Sequence, residues 1–379
     1  SPTVGTLFKT QDGNISLTGA STLATNKRGI LFIGSATKSV TVEATGTGSV
    51  TLNGSGATQD FQFSGASILA ASGAINITGS AAGLVLTDTG ITTIGYKALS
   101  DVTSSTSNIT ITDDSLSLTS GKGLQLNTTG KVTVKPYSNS FSSAVTWPLT
   151  DFAVSSGVTG LTIGKDIGAT AHTDMVTIGG STNISGPINV YAGTINVNAN
   201  LNTTAGGAAG DVLLKASGGI TQASNASVTT NGGDVTYWAD SDANSQGNIY
   251  LTQGSAGNTT TITTSGGNIT MGGGSNIATG YAYGYGNSFT TEHGINIDGV
   301  LNAGSGAVTL RGMTVATLDA WIIGVRFNGT GTSVTGSDLI FVGNASGAVS
   351  ASNKGACASA IATTASVTGL APIDLTGTG

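Results

Sequence analysis

Charge is scarce in this chain. Asp, Glu, Lys and Arg make up 8% of its 379 residues, against roughly 25% in an ordinary soluble domain. Hydroxyl and amide side chains must therefore solvate the surface. Thirteen Lys and Arg, with no basic run, stand against 19 acidic residues for a net charge of −6. That balance argues against a nucleic-acid partner and against attraction to an anionic membrane. No stretch approaches the roughly 18 consecutive apolar residues of a membrane-spanning helix, and the N-terminus lacks a basic region followed by an apolar core. Cys357 is the single cysteine, which excludes an intrachain disulfide and a thiolate metal cluster. Among Ala356, Ala358 and Ala360 it reads as a small buried hydrophobe, with an intermolecular disulfide as the alternative.

Catalytic groups are equally thin. His172 and His293 are the only histidines, neither lies in a HExxH pattern, and a lone histidine reads first as a surface or capped residue. No Walker loop, completed GxGxxG or GxSxG elbow occurs, and the Gly-rich stretches lead into strand residues, not into a helix N-terminus that could hold phosphate. The glycine-rich calcium-binding nonapeptide GGxGxDxUx is absent. No cofactor and no metal site is expected. A polysaccharide lyase or glycosidase would need converging carboxylates, and the best cluster is Asp234, Asp240 and Asp242. With no Arg or Lys nearby, that cluster reads first as a solvated loop.

What the chain has in abundance is glycine, 59 residues of it, with Ser, Thr, Ala, Asn and regularly spaced Val, Ile and Leu. The stretch GPINVYAGTINVNANL repeats one phrase: a glycine, a spacer, then an aliphatic pair straddling a polar residue. In an extended strand Ile188 and Val190, like Ile195 and Val197, face one side, while Asn189 and Asn196 face the other. The phrase recurs as GNISL from Gly13, GSVTL, GAINI, SNITI, GKVTV, GDVLL, GDVTY, GNIYL, GNITM, HGINI and GAVTL. Between Gly193 and Gly306 the copies lie about 19 residues apart.

Such a period predicts an all-β chain wound as a parallel β-solenoid of about 20 residues per coil, each phrase forming one rung of the same sheet. The predicted repeat core contains Ile15, Leu17, Ile75, Ile77, Ile188, Val190, Ile195, Val197, Ile249, Leu251, Ile269 and Met271. Asn14, Asn76, Asn108, Asn248 and Asn268 are expected to stack at corners and pass hydrogen bonds from coil to coil. Fully coiled, the chain would form a rod on the order of 90 Å long. Residues 1–135 form a first β-helical segment, 136–180 an irregular seam carrying PYSNSFSSAVTWPLTDF, and 181–312 a second β-helical segment. Residues 313–379 form a C-terminal β-rich segment, in which ATLDAWIIGV and NKGACASAIATTA alone admit a helical reading.

The alternating Tyr281, Tyr283 and Tyr285 would share one strand face, and with Tyr237 and Trp238 they would make a shallow glycan-stacking surface. The competing reading is a loop or core filler over one coil. Thr-rich arrays such as NTTTITTS suggest an ice-binding face, but they recur at no fixed offset and serve equally to solubilise a sheet. Ser1 and the abrupt TGTG end read as a processed chain or a piece of a longer one. Neither end shows a charged or helical cap, and only Pro2 and Pro372 would blunt pairing, so end-to-end self-association is the alternative.

The stretch GPINVYAGTINVNANLNTTAGGAAGDVLLKASGGITQ, with TTNGGDVTYWA and GNIYL, resembles the repeat region of filamentous-haemagglutinin-like proteins, large adhesins exported by Gram-negative bacteria. The resemblance covers Gly180 to about Arg311 well and the first 135 residues more loosely. It implies a right-handed parallel β-helix, secretion to the cell surface, and a non-enzymatic role in attachment, surface filaments or biofilm, with surface glycans or proteins as partners. A carbohydrate-active enzyme or tailspike-like glycan binder on the same fold is the alternative. The family's secretion domain with its NPNG-type motif does not occur in the sequence.

Overall fold

The structure, a computed structural model, describes residues 5–22, 27–34, 39–80, 82–86, 91–96, 105–118, 124–149, 152–252, 254, 259–286, 288, 290–315, 322–329, 331–345, 358–363, 366–369 and 373–378. Two compact units, Ser1–Lys165 and Asp166–Gly379, divide the chain. Each is a parallel β-helix with three strands to a coil. In nearly every coil a strand hydrogen-bonds to the third strand after it, so three parallel sheets build each unit. Among the described residues the only helical segment is the 3-10 turn Thr204–Ala209, and no helix is long and apolar enough to cross a membrane.

The registers explain the repeated phrase. In the first unit the longest sheet stacks Ile15, Val50, Ile75, Ile109, Val132 and Leu161 in one column. In the second unit the corresponding column is Ile188, Val212, Val235, Ile269, Val308, Leu339 and Ile373. A different sheet of the second unit stacks Ile195, Ile220, Ile249, Ile295 and Val325. The two INV phrases are thus not successive rungs. Ile188–Ala192 and Thr194–Val197 are two sides of one coil, and GNIYL and HGINI likewise belong to the second of these sheets. Ile249 accordingly stands in another column from Ile75 and Ile269. Coils are also longer than the phrase spacing predicts. Equivalent positions lie 23 residues apart at Asp211 and Asp234 and 39 apart at Asn268 and Ala307, because a single coil carries the phrase on two sides.

The predicted core positions face inward. Ile75, Ile77, Ile188, Val190, Ile195, Val197, Ile249, Leu251, Ile269 and Met271 are all buried. Ile15 and Leu17 face the same side but are half-buried, because Ile15–Ser21 has a neighbouring strand, Val50–Gly56, on one edge only among the described residues. The neighbouring strands of that first coil expose Leu7, Phe8, Leu31 and Ile33. In the seam, Phe141 and Trp147 are buried and Tyr137 is exposed. The two segments that admit a helical reading contain the strands Ile322–Phe327 and Ala358–Thr363 instead. Cys357, Pro2 and Pro372 lie outside the described residues.

Why the phrase begins with glycine follows from stacking. A Cβ on Gly73 would sit 2.1 Å from the Gly48 carbonyl oxygen, and one on Gly267 the same distance from that of Gly233. Successive backbones touch at this corner, so no side chain fits. Beside it runs the polar ladder. Asn14 Oδ1 accepts the N–H of Ser49, Asn108 that of Lys131, and Asn268 that of Ala307, each at 2.9 Å. Asp211 and Asp234 do the same for Asp234 and Asn268, a role the sequence reading assigned to asparagine alone. Asn76 lies within a strand, and Asn248 Nδ2 instead donates to the Thr290 carbonyl. At the preceding turn, buried Thr203, Thr230 and Thr264 donate their hydroxyls to the carbonyls of Gly210, Gly233 and Gly267.

One buried carboxyl pair interrupts this economy in the first unit. Asp60 Oδ2 accepts the N–H groups of Ser80, Ala82 and Gly83. The Asp113 carboxyl approaches it over Gly79, whose missing Cβ would lie 2.1 Å from Asp113 Oδ2 and 3.0 Å from Asp60 Oδ2. Asp113 Oδ2 is buried with no hydrogen-bond partner. Burial, with the nearby charge of Asp60 adding to it and the Ser115 N–H opposing, pushes Asp113 up to about 7 from an ordinary 3.8.

Two expectations follow. Ile269→Asp puts an unpaired carboxylate into the dry column and should lower stability by several kcal/mol, on the order of 3 to 5, whereas Thr270→Ser on the outward side should cost about 0.5 kcal/mol or less. Thermal unfolding separates the two, and equal losses would reverse the assignment of faces. For Asp113 the folded state binds the proton more tightly than the unfolded state. Its contribution is therefore complete below about pH 4 and is lost as pH rises toward 7, by roughly 4 kcal/mol in all. Asp113→Asn, neutral at every pH and able to donate to Asp60, should remove that loss and melt above the parent at pH 8. Identical melting-temperature profiles between pH 4 and 8 would contradict it.

Candidate functional site

The ladder fixes the strands, and one corner of the second unit carries its longest connections. Between the longest sheet and the sheet of Thr194–Val197, the connection is Gly193 alone in one coil and Ser217–Gly219 in the next. It then lengthens to Asp240–Asn248, and in the following coil to the excursion that carries Ala282–Gly284. The longer connections rise beside the shorter ones and enclose a cleft of about 250 Å³. Its lining includes His172, Asp174, Ser217, Asp242, Asn244 and Tyr285.

The floor is held by backbone contacts. Asp174 Oδ1 accepts the Gly193 N–H at 3.1 Å and lies 3.8 Å from His172 Nδ1, with both side chains nearly closed to solvent. The His172 N–H donates to Ser217 Oγ, whose hydroxyl in turn donates to the His172 carbonyl. The wall is the loop after Val235–Ala239. Asp240, Ala243 and Ser245 all take positive φ there, 50°, 57° and 66°, a conformation that costs non-glycine residues of order 1 kcal/mol or more each. Asp240 Oδ1 accepts the Gln246 N–H at 3.0 Å and holds the loop closed. Burial, reinforced by the charge of Asp242, pushes Asp240 up to about 6. Asp242 Oδ2 accepts Asn244 Nδ2 at 2.8 Å, while Asp242 Oδ1 is shielded from solvent with no partner.

The three candidate carboxylates do not converge. Asp234 precedes the strand Val235–Ala239 and Asp240 follows it, about 20 Å apart in an extended chain, and Asp234 belongs to the corner ladder. The expected aromatic surface disperses as well. Tyr237 is completely buried; its hydroxyl donates to Gln222 Oε1 at 2.7 Å, and Gln222 Nε2 donates to the carbonyls of Ala226 and Thr261. Strand parity puts Tyr237 beside Val235 and Ala239, and so inside. Trp238 faces outward, but Lys215 Nζ lies 4.6 Å from its ring centroid and also pairs with Asp166 at 2.8 Å. The Trp238 Nε1–H donates to the Gly274 carbonyl. Tyr281 and Tyr283 are half-buried on the side opposite buried Ala282 and Gly284, and Tyr283 exchanges backbone hydrogen bonds with Gly247. Tyr285 alone reaches the cleft, with 41% of its surface exposed.

A second polar centre was invisible in the sequence because its members come from separate coils. His293 is buried, not a surface residue. Arg326 Nη1 lies 3.0 Å from His293 Nε2 and its Nη2 donates to Asn328 Oδ1; Asn328 Nδ2 donates to Asp298 Oδ2. Burial and then the Arg326 charge push His293 down to about 4, so it is neutral near pH 7. Its 3.5 Å approach to Glu292 is then no ion pair, and burial raises Glu292 above the usual carboxylate range. The network braces the second sheet of this unit. Among the described residues no group of three or more His, Cys, Asp or Glu could hold a metal ion. No protein-family model, no curated protein and no solved structure matches the chain.

Proposed function

We propose that the chain is a structural segment of an extracellular bacterial adhesin or surface filament, acting without catalysis to span distance and present surface. The observation that carries this reading is the regular stacking of coils within each unit. Side chains with chemical capacity are spent on it: Asp211 and Asp234 cap the next coil, and Tyr237 and Gln222 brace the core. A surface solvated by Ser, Thr and Asn, at 8% charged residues, suits a body that must tolerate close neighbours without strong electrostatic repulsion. The repeat style shared with filamentous-haemagglutinin-like adhesins supports the same role and a place at the cell surface. Attachment to surface glycans or proteins belongs to this reading, and end-to-end assembly of copies is its variant.

Latex beads coated with the full chain should adhere to cultured epithelial cells or to abiotic surfaces well above albumin-coated beads. The same preparation should release no new reducing ends from a panel of plant, algal and bacterial polysaccharides. Adhesion at the albumin level would overturn the attachment role. Steady release of reducing ends would replace the scaffold with the carbohydrate-active enzyme.

A further inference from the structure

We infer that the corner cleft of the second unit binds a neutral saccharide, about one pyranose ring at a time. The inference goes beyond the scaffold reading, since coils can span and present surface with the cleft empty or filled. Size is the first argument. At about 250 Å³ the cleft lies just below the usual range of small-molecule sites, roughly 300 to 1,000 Å³, which suits one ring and excludes a bundle of chains.

Chemistry is the second argument. Asp242, Asn244, Gln246, Thr194 and Ser217 bring acceptors and donors to one concavity, the mixture that vicinal hydroxyls require. Asp242 Oδ1 makes no hydrogen bond within the protein, and a ligand O–H that displaces the atoms now covering it would satisfy that acceptor. Its other oxygen is already fixed by Asn244, so the carboxyl is oriented before any ligand arrives. Tyr285 adds an exposed ring at the rim, against which the C–H face of a sugar can lie. Among the described residues no Lys or Arg lines the cleft. Asp174 and Asp242 there disfavour carboxylated or sulfated sugars, and the described residues offer no metal-binding group of three.

Saturation-transfer NMR on the full chain, with the methyl glycosides of galactose, glucose, mannose and N-acetylglucosamine as probes, tests the inference. Sialic acid and calcium chloride alone form separate arms. At least one neutral glycoside should bind, sialic acid should not, and Tyr285→Ala and Asn244→Ala should each weaken binding about tenfold. Both side chains are exposed, so the melting temperature should stay at the parent value and separate lost binding from lost folding. Silence from every neutral glycoside, binding unchanged in both variants, or a calcium-induced rise in melting temperature abolished by Asp242→Asn would each overturn the assignment. Beads that adhere while no glycoside binds would leave the scaffold reading intact and remove this one; glycoside binding without adhesion would do the reverse.

Discussion

Everything in this protein answers to one constraint: equivalent residues of successive coils lie directly over one another at the spacing of hydrogen-bonded strands, about 4.8 Å. At that distance like charges in a column repel and bulky side chains at a corner collide. Identical aliphatic or small polar residues instead repeat each other's contacts. The shortage of charge, the glycine before each phrase and the aliphatic columns are three faces of that restriction. The close contact between Gly267 and the Gly233 carbonyl and the column from Ile188 to Ile373 are its two clearest expressions.

The polar ladder shows how acids enter such a stack. Asp211 and Asp234 occupy adjacent rungs, where bare carboxylates would repel, yet each accepts a backbone N–H from the next coil. Charge-assisted hydrogen bonds are the stronger kind, so the ladder offsets the repulsion it creates. Asp60 is treated in the same way, wrapped by N–H groups. Asp113 lacks that coverage at Oδ2, and its response is to hold a proton. Asp211 and Asp234 lie at the exposed edge of the stack, whereas Asp60 and Asp113 are both buried and differ in the donors supplied to them.

Inward positions were legible because strand parity needs only spacing two, and the phrase states it outright. Coil length was not, since one coil carries the same phrase on two sides and nothing local distinguishes Ile188–Ala192 from Thr194–Val197. Tyr237 was legible and misassigned. In GDVTYWA it fills the second aliphatic position of the phrase, which places it inside with Val235, and only its grouping with Trp238 and the Tyr281–Tyr285 stripe suggested a surface. Asp242 and Tyr285 were each legible as candidates, but their meeting with Asp174 and Ser217 in one cleft was not, because coil stacking brings them together across long stretches of chain.

The same constraint decides where function can accumulate. At the glycine corner, successive backbones touch and threonine hydroxyls close the turn, so extra residues enter only by looping out between these contacts, as the 3-10 turn Thr204–Ala209 does between Thr203 and Gly210. At the corner of Gly193 the strands on either side stay in register while the connection lengthens from one residue to the Asp240–Asn248 loop. A longer loop adds closure entropy only slowly, about 0.6 kcal/mol per doubling. It also frees the chain from column repetition, and there Asp240, Ala243 and Ser245 adopt left-handed backbone while Asp240 Oδ2 and Asp242 Oδ1 stand without hydrogen-bond partners. A stack that forbids variation along its sides takes up extra residues at its corners, and the cleft lies at the corner where the connections grow longest.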